Sequence, residues 1–181
     1  NVKPEDLALF DPEDLILRDN VPSSFETEAR EVLAIYYAMI NNIDENIRKL
    51  VSVLEEQGIL GNTLIVFASD HGDMMLSHGQ HYKRRPQEES SRVPFIMSLP
   101  GVIRSRTVAG QYLSLVDVYP TLLELLDVEA PVNEGVSFVP ILTGESEAEI
   151  HSSVYMGGAW FGCRDYDPGL HAKSPWRAVR T

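Results

Sequence analysis

The 181-residue chain contains one cysteine, so no disulfide can form within it. Nowhere does it approach the roughly eighteen consecutive apolar residues that a membrane-crossing helix needs. Bases are scarce: 15 Lys and Arg face 27 Asp and Glu, a formal net charge of −12. That balance argues against nucleic acid or an anionic membrane surface as the main partner. The opening "NVKPEDLALFDPEDL" is acidic and lacks the basic and then apolar regions of a signal peptide. An initiator Met is missing too, and the chain stops after "WRAVRT". A piece truncated at both ends is therefore expected. No internal repeat or low-complexity tract is present, and the native compartment is left open.

What the chain does have is 44% hydrophobic residues, enough for a sizeable core. Residues 1–22, with three prolines and many acids, read as an extended approach segment. Ser23 and Glu26 then stand at capping-box spacing. Val32, Ile35, Tyr36, Met39, Ile43, Ile47, Leu50 and Leu54 follow at threes and fours, predicting a long amphipathic helix closed by Gly58. "NTLIVFAS" and "RVPFIMSLP" are short apolar runs suited to strands buried on both faces of a parallel sheet. "SLVDVYPTLLELLDV" predicts a helix with Asp117 near its N-cap and Pro120 in its first turn. "PVNEGVSFVPILTGE" reads as a turn-rich loop, and "SSVYMGG" and "WRAVR" as strands. Alternating helices and buried strands predict an α/β fold: part of a mixed, mainly parallel sheet flanked by helices.

The charge is uneven. Residues 1–60 carry 13 acids against 5 bases and residues 119–181 carry 9 against 4, whereas residues 61–118 carry 5 against 6. That middle segment holds "ASDHGDMMLSHGQHYK", and a small anionic ligand would prefer to bind there. In an open α/β sheet ligands sit at the carboxyl ends of strands, which is where Asp70 and His71 fall. A carboxylate and an imidazole side by side make a plausible half of a metal site, Gly72 permits a sharp turn, and Lys83 supplies a point charge for an oxyanion.

Each feature also has a plain structural reading. Asp70-His71-Gly72 alone could be a turn with Asp70 capping the next helix. His78 and His81 could be surface residues, and Lys83-Arg84-Arg85 a solvated basic patch. Glu88, Glu89 and Arg92 read as an ion-pair cluster leading into the next strand. Cys163, with no base nearby in sequence, reads as a small buried thiol.

Taken together, however, Ser69-Asp70-His71-Gly72, His78-Gly79, Lys83, Glu88-Glu89-Ser90, Arg92-Val93-Pro94 and Pro100-Gly101 occur in an order that resembles the sulfatase family, within the alkaline-phosphatase-like superfamily. "YYAMINNIDENIRKLVSVLEEQGILGNTLIVF" before the motif and "LSLVDVYPTLLELLDVEAPVNEGVSFVPILTGE" after it are similar to that family as well, and "WRAVRT" looks like the first strand of its small C-terminal sheet. The resemblance implies a C-terminal portion of the catalytic domain over residues 1–160 and the start of a small subdomain over 161–181. By position, Asp70 matches a ligand of a divalent metal, calcium first, with magnesium or manganese as alternatives. His71 matches a ligand or sulfate contact, hence a catalytic and metal role. Lys83 matches the lysine that binds the sulfate and its bridging oxygen, a catalytic and substrate-binding role. Asp117 and Pro120 match a structural helix start.

The implied activity is sulfuric ester hydrolysis, with a small-molecule or carbohydrate sulfate ester as partner. The family's formylglycine motif, Cys/Ser-x-Pro-x-Arg, has no match here, nor do its early paired aspartates. All of these are expected in a missing N-terminal part, and the chain alone is expected to be inactive. Two alternatives accompany this reading: a phosphonate monoester or phosphodiester hydrolase of the same superfamily, and a non-catalytic binding module. An open sheet edge is expected to promote oligomers.

Overall fold

The computed structural model describes residues 2–83, 85–158 and 176–181. The chain divides into two compact units, one of Asn1–Leu64 with His71–Phe95 and one of Ile65–Asp70 with Ile96–Thr181.

The first unit is built on one long helix. Residues 1–22 are not simply extended: Pro4–Leu7 forms a short helix, α1, and Pro12–Asp14 a 3-10 turn. Proline opens both, with acids in the first turn, where a missing N–H costs nothing and negative charge suits the helix dipole. Asp6, only 5% exposed, accepts hydrogen bonds from the Asn41 and Asn42 side chains at 2.9 and 3.3 Å, which docks the segment onto the next helix.

That helix, α2, spans Glu26–Glu56. The expected Ser23–Glu26 capping box does not form. Ser23–Phe25 makes its own 3-10 turn, so the N-cap is Phe25, without a side-chain cap bond. The C-terminus follows the prediction: Gly58 adopts φ +66, its N–H donates to Glu55 O at 2.9 Å, and the Ile59 N–H donates to Leu54 O at 3.0 Å. This paired bonding is a Schellman motif, and its left-handed residue is the reason for the glycine. Full burial falls on Ala29, Ala34 and Ala38. Ile35, Tyr36, Met39, Ile43 and Leu50, on the predicted apolar stripe, stay 37 to 66% exposed.

After the 3-10 turn Leu60–Asn62, the chain returns to this unit at His71, makes the turn Ser77–Gly79, and forms a short helix α3, Glu88–Ser91. Met74 and Leu76 are fully buried there.

In the second unit, strands β1, Ile65–Ala68, and β2, Phe95–Ser98, lie side by side. Both are where the sequence predicts them, but neither is buried on both faces. Their residues alternate between half-buried and exposed, with Val66 37% and Ile96 61% exposed. Among the described residues the pairing is two-stranded.

A 3-10 turn, Leu115–Asp117, leads into helix α4, Val118–Leu125. Ser114 and Asp117 form a reciprocal capping box. The region read as a loop contains a further helix, α5, Val139–Thr143, with Pro140 near its start and Gly144 at φ +81 closing it. Phe138, 1% exposed, and the wholly buried Thr121 and Asp117 form the centre of this unit. Strands β3, Val154–Gly158, and β4, Trp176–Arg180, pair antiparallel with Val154 opposite Arg180 and Gly158 opposite Trp176. Cys163 lies outside the described residues.

Candidate active site

The site is best built from Gly72 outward. Its N–H donates to Ser90 O at 2.9 Å, seating the turn on α3. A Cβ at this position would overlap the Glu89 carbonyl oxygen, so the close approach requires glycine. The Gly72 carbonyl in turn lies 2.8 Å from His71 Nδ1. A carbonyl only accepts, so Nδ1 carries the proton and Nε2 presents its lone pair. The Lys83 ammonium donates to that lone pair. His71 and Lys83, twelve residues apart, are thus brought into direct contact within the first unit.

The backbone between them is unusual. Met75, Leu76, His78 and Tyr82 all have φ between +47 and +65 without being glycine. Left-handed conformations cost L-residues about 1–2 kcal/mol each, so four in eight residues must be held by something else. Part of the holding is internal. Asp73 Oδ1 accepts from Met75 N at 2.9 Å, Tyr82 O from Met74 N at 2.6 Å, and Gln80 O from Leu76 N at 2.8 Å.

The rest comes from Asn20. Its carbonyl accepts from His78 N at 2.8 Å, and its side-chain Nδ2 lies 3.2 Å from His78 Nε2 and 2.7 Å from Glu89 Oε1. Arg18 reaches the same Glu89 oxygen at 3.1 Å. The Glu89 side chain is only 7% exposed. Burial alone would raise its pKa. Hydrogen bonds from Asn20, its own backbone and Arg18 outweigh that and hold the carboxyl at about 2.

The other sequence candidates fall as follows. Asp70 follows β1 in the second unit and is exposed. His78 is exposed, in keeping with its surface reading, and also joins the Asn20 cluster, and His81 lies 3.6 Å from Glu28. Arg85 donates to Gln80 Oε1 at 2.7 Å. Arg92 pairs with Glu88 at 3.5 Å, but Glu89 turns away from that pair toward Arg18 and Asn20. Sequence reasoning missed Asn20 and Arg18, which lie in a segment read as an approach and carry no local signal.

As metal donors, the residues present are a fair but partial fit. An exposed carboxylate at Asp70 and an imidazole whose Nε2 lone pair is fixed by a carbonyl on Nδ1 are the forms a cation requires. Among the described residues no group of three or more His, Cys, Asp or Glu stands together, so further ligands would have to be added.

The sequence pattern of one family, described as Sulfatase, matches residues 15–128. The chain belongs to the sulfatase family. A second pattern, N-sulphoglucosamine sulphohydrolase, C-terminal, matches residues 77–181. Arylsulfatase K of Xenopus laevis is 36% identical over 136 residues, 75% of this chain and 25% of that protein. The chain spans about a quarter of the length of the curated relatives it matches.

Among solved structures, a putative sulfatase, yidJ, from Bacteroides fragilis aligns with a TM-score of 0.84 at 26% identity, covering 99% of this chain and 39% of that one. BT4656, solved with its substrate D-glucosamine-2-N,6-O-disulfate, aligns with a TM-score of 0.69 at 29% identity over 90% of this chain and 33% of that one. A phosphonate monoester hydrolase of Agrobacterium radiobacter aligns with a TM-score of 0.69 at 28% identity over 77% of this chain and 28% of that one. The fold is therefore that of the alkaline-phosphatase-like sulfatases.

Proposed function

We propose that this chain supplies part of the metal and sulfate site of a sulfuric ester hydrolase acting on carbohydrate sulfates. The observation that carries the reading is the Lys83–His71 contact, set directly after Asp70 in a chain of the sulfatase family. The sugar disulfate bound by the similar BT4656 supports the substrate class.

In this reading Asp70 and His71 Nε2 are two ligands of a divalent cation, calcium first, with magnesium or manganese as alternatives, and the Lys83 ammonium gives up the Nε2 lone pair to the cation and turns to the sulfate. Calcium and magnesium both prefer oxygen donors, so the nitrogen donor makes manganese the first alternative to test beside calcium. When bound, that cation would supply Lewis-acid stabilisation of sulfate oxygens, and a formylglycine from elsewhere in the intact protein would supply the nucleophile. Lys83 binds the sulfate through its ammonium, neutralises charge building on the bridging oxygen and can hand that oxygen a proton. The Gly72 carbonyl keeps the His71 proton on Nδ1, so that Nε2 stays available as an electron-pair donor. In the intact protein β1 and β2 belong to a larger, mainly parallel sheet, and residues 161–181 open a small C-terminal subdomain.

Mass-spectrometric sequencing of the intact natural protein tests this directly. Formylglycine within a Cys/Ser-x-Pro-x-Arg motif before residue 1, with turnover of a sugar sulfate that Lys83→Ala abolishes, is the expected result. An inert residue at that position would leave a non-catalytic binding module. A preference for phosphonate monoesters over sulfate esters would move the enzyme to the neighbouring class.

A further inference from the structure

We propose that Asn20 is a positioning residue for Lys83: it clamps the strained Met75–Tyr82 loop to α3 and so fixes where the ammonium meets its target. The inference rests on the reading of Lys83 as the sulfate-binding group.

Three observations carry it. First, Lys83 directly follows Tyr82, the last of four non-glycine residues held at positive φ, so its position depends on a backbone that local preference opposes. Second, Asn20 addresses that loop twice, from its carbonyl to His78 N and from its amide to the His78 ring, while the same amide donates to Glu89. Both amide hydrogens are thereby used. The orientation is fixed by chemistry, since turning the amide over would set its oxygen against the Glu89 carboxylate. Third, the Glu89 peptide is the one that Gly72 presses against, and Gly72 O orients His71. The Asn20–Glu89 bond therefore ties together the two arms, the His71 turn and the Lys83 loop, whose tips form the candidate site.

A residue acting this way should affect chemistry in proportion to how much the chemistry needs Lys83. Nitrophenolate leaves readily without help, whereas a sugar alkoxide needs charge neutralisation or a proton. In the intact protein, Asn20→Ala is expected to lower kcat for glucosamine 2-N,6-O-disulfate by about 10- to 100-fold, in line with the cost of a misplacement near 1 Å. KM should rise alike for both esters, which share the sulfate that Lys83 binds, whereas kcat for 4-nitrophenyl sulfate should fall by no more than about 3-fold, because its leaving group needs Lys83 less. In a Lys83→Ala background, Asn20→Ala should add almost nothing. Glu89→Gln, which keeps an acceptor for Asn20, should retain most of the activity that Asn20→Ala loses and guards against a simple folding failure.

Equal losses on both esters, or full additivity with Lys83→Ala, would overturn the proposal and make Asn20 an ordinary stability residue. Amide exchange gives a readout independent of turnover. The Met74, Leu76 and His78 N–H groups should exchange at least about 10-fold faster in Asn20→Ala while those of α2 hold. Unchanged exchange there overturns the clamp whatever the activity. If instead Lys83→Ala leaves sulfate turnover intact, the assignment of Lys83 itself fails, and that result is separable from the clamp.

Discussion

Replacing Asp117 should be among the most damaging single changes in the second unit, and its cost can be worked from its bonds. The side chain is wholly buried. Oδ2 accepts from Ser114 N at 2.7 Å and from His151 Nε2 at 2.9 Å, and Oδ1 accepts from Val136 N at 2.9 Å. Its own carbonyl accepts from Thr121 Oγ1, which accepts in turn from Phe138 N at 3.1 Å. One residue therefore joins the start of α4 to the loop before α5.

Asp117→Ala would strand two backbone donors and a ring donor. A buried donor left without a partner costs about 1–3 kcal/mol. The ring sits a quarter exposed and can turn to water, so the total should be about 4 kcal/mol. Asp117→Asn keeps one acceptor and strands at least one donor, for about 2 kcal/mol. His151→Ala removes a single bond near solvent, for about 1 kcal/mol. Equilibrium urea denaturation followed by tryptophan fluorescence would rank the three. The reasoning fails if Asp117→Ala comes within about 1 kcal/mol of the parent or if His151→Ala costs more than it does.

Other consequences follow from the same structure. Gly72→Ala forces a methyl into the Glu89 carbonyl and should cost about 1–3 kcal/mol. Gly61→Ala, with open space around it and no positive φ, should be neutral or stabilising by up to about 1 kcal/mol; comparable melting temperatures for the two would contradict this. Because the Glu89 pKa is depressed from 4.5 to about 2, its contribution is complete above pH 4.5 and is lost as the pH falls toward 2. The full span is worth about 3 kcal/mol, and Glu89→Gln should flatten acid unfolding curves in that window. The exposed β1–β2 face and the α2 stripe should make this chain alone associate, so a monodisperse monomer by light scattering would count against that expectation.

The parts of the fold readable in sequence are those with enough repetition or punctuation to be unambiguous. Helix α2 repeats its apolar pattern over many turns and stops at a glycine, and α4 carries Asp117 and Pro120 at its entry. α1 and α5, at four and five residues, are too short for periodicity to register. Pro140 and Gly144 did flank α5 in the order that marks a helix start and stop, so a capping argument could have found it. At the site, the ordered motif pointed to Asp70, His71 and Lys83, but Asn20 could not be read, because its partners lie 58 and 69 residues away. Nor does any local pattern show that Glu89 turns away from Arg92, since that choice depends on where Arg18 ends up.

The sequence separation of 69 between Asn20 and Glu89 also bears on the order in which the protein assembles. Helix α2 is made of contacts three and four residues apart and can form early, whereas the Asn20 clamp must first close a long loop. The local bonds of the Met75–Tyr82 backbone hold its left-handed conformation only in part, and the rest of the support arrives with that closure. The segment that presents Lys83 should therefore be among the last to settle. Substitutions at Asn20 or Glu89 should then speed unfolding and leave the refolding rate nearly unchanged.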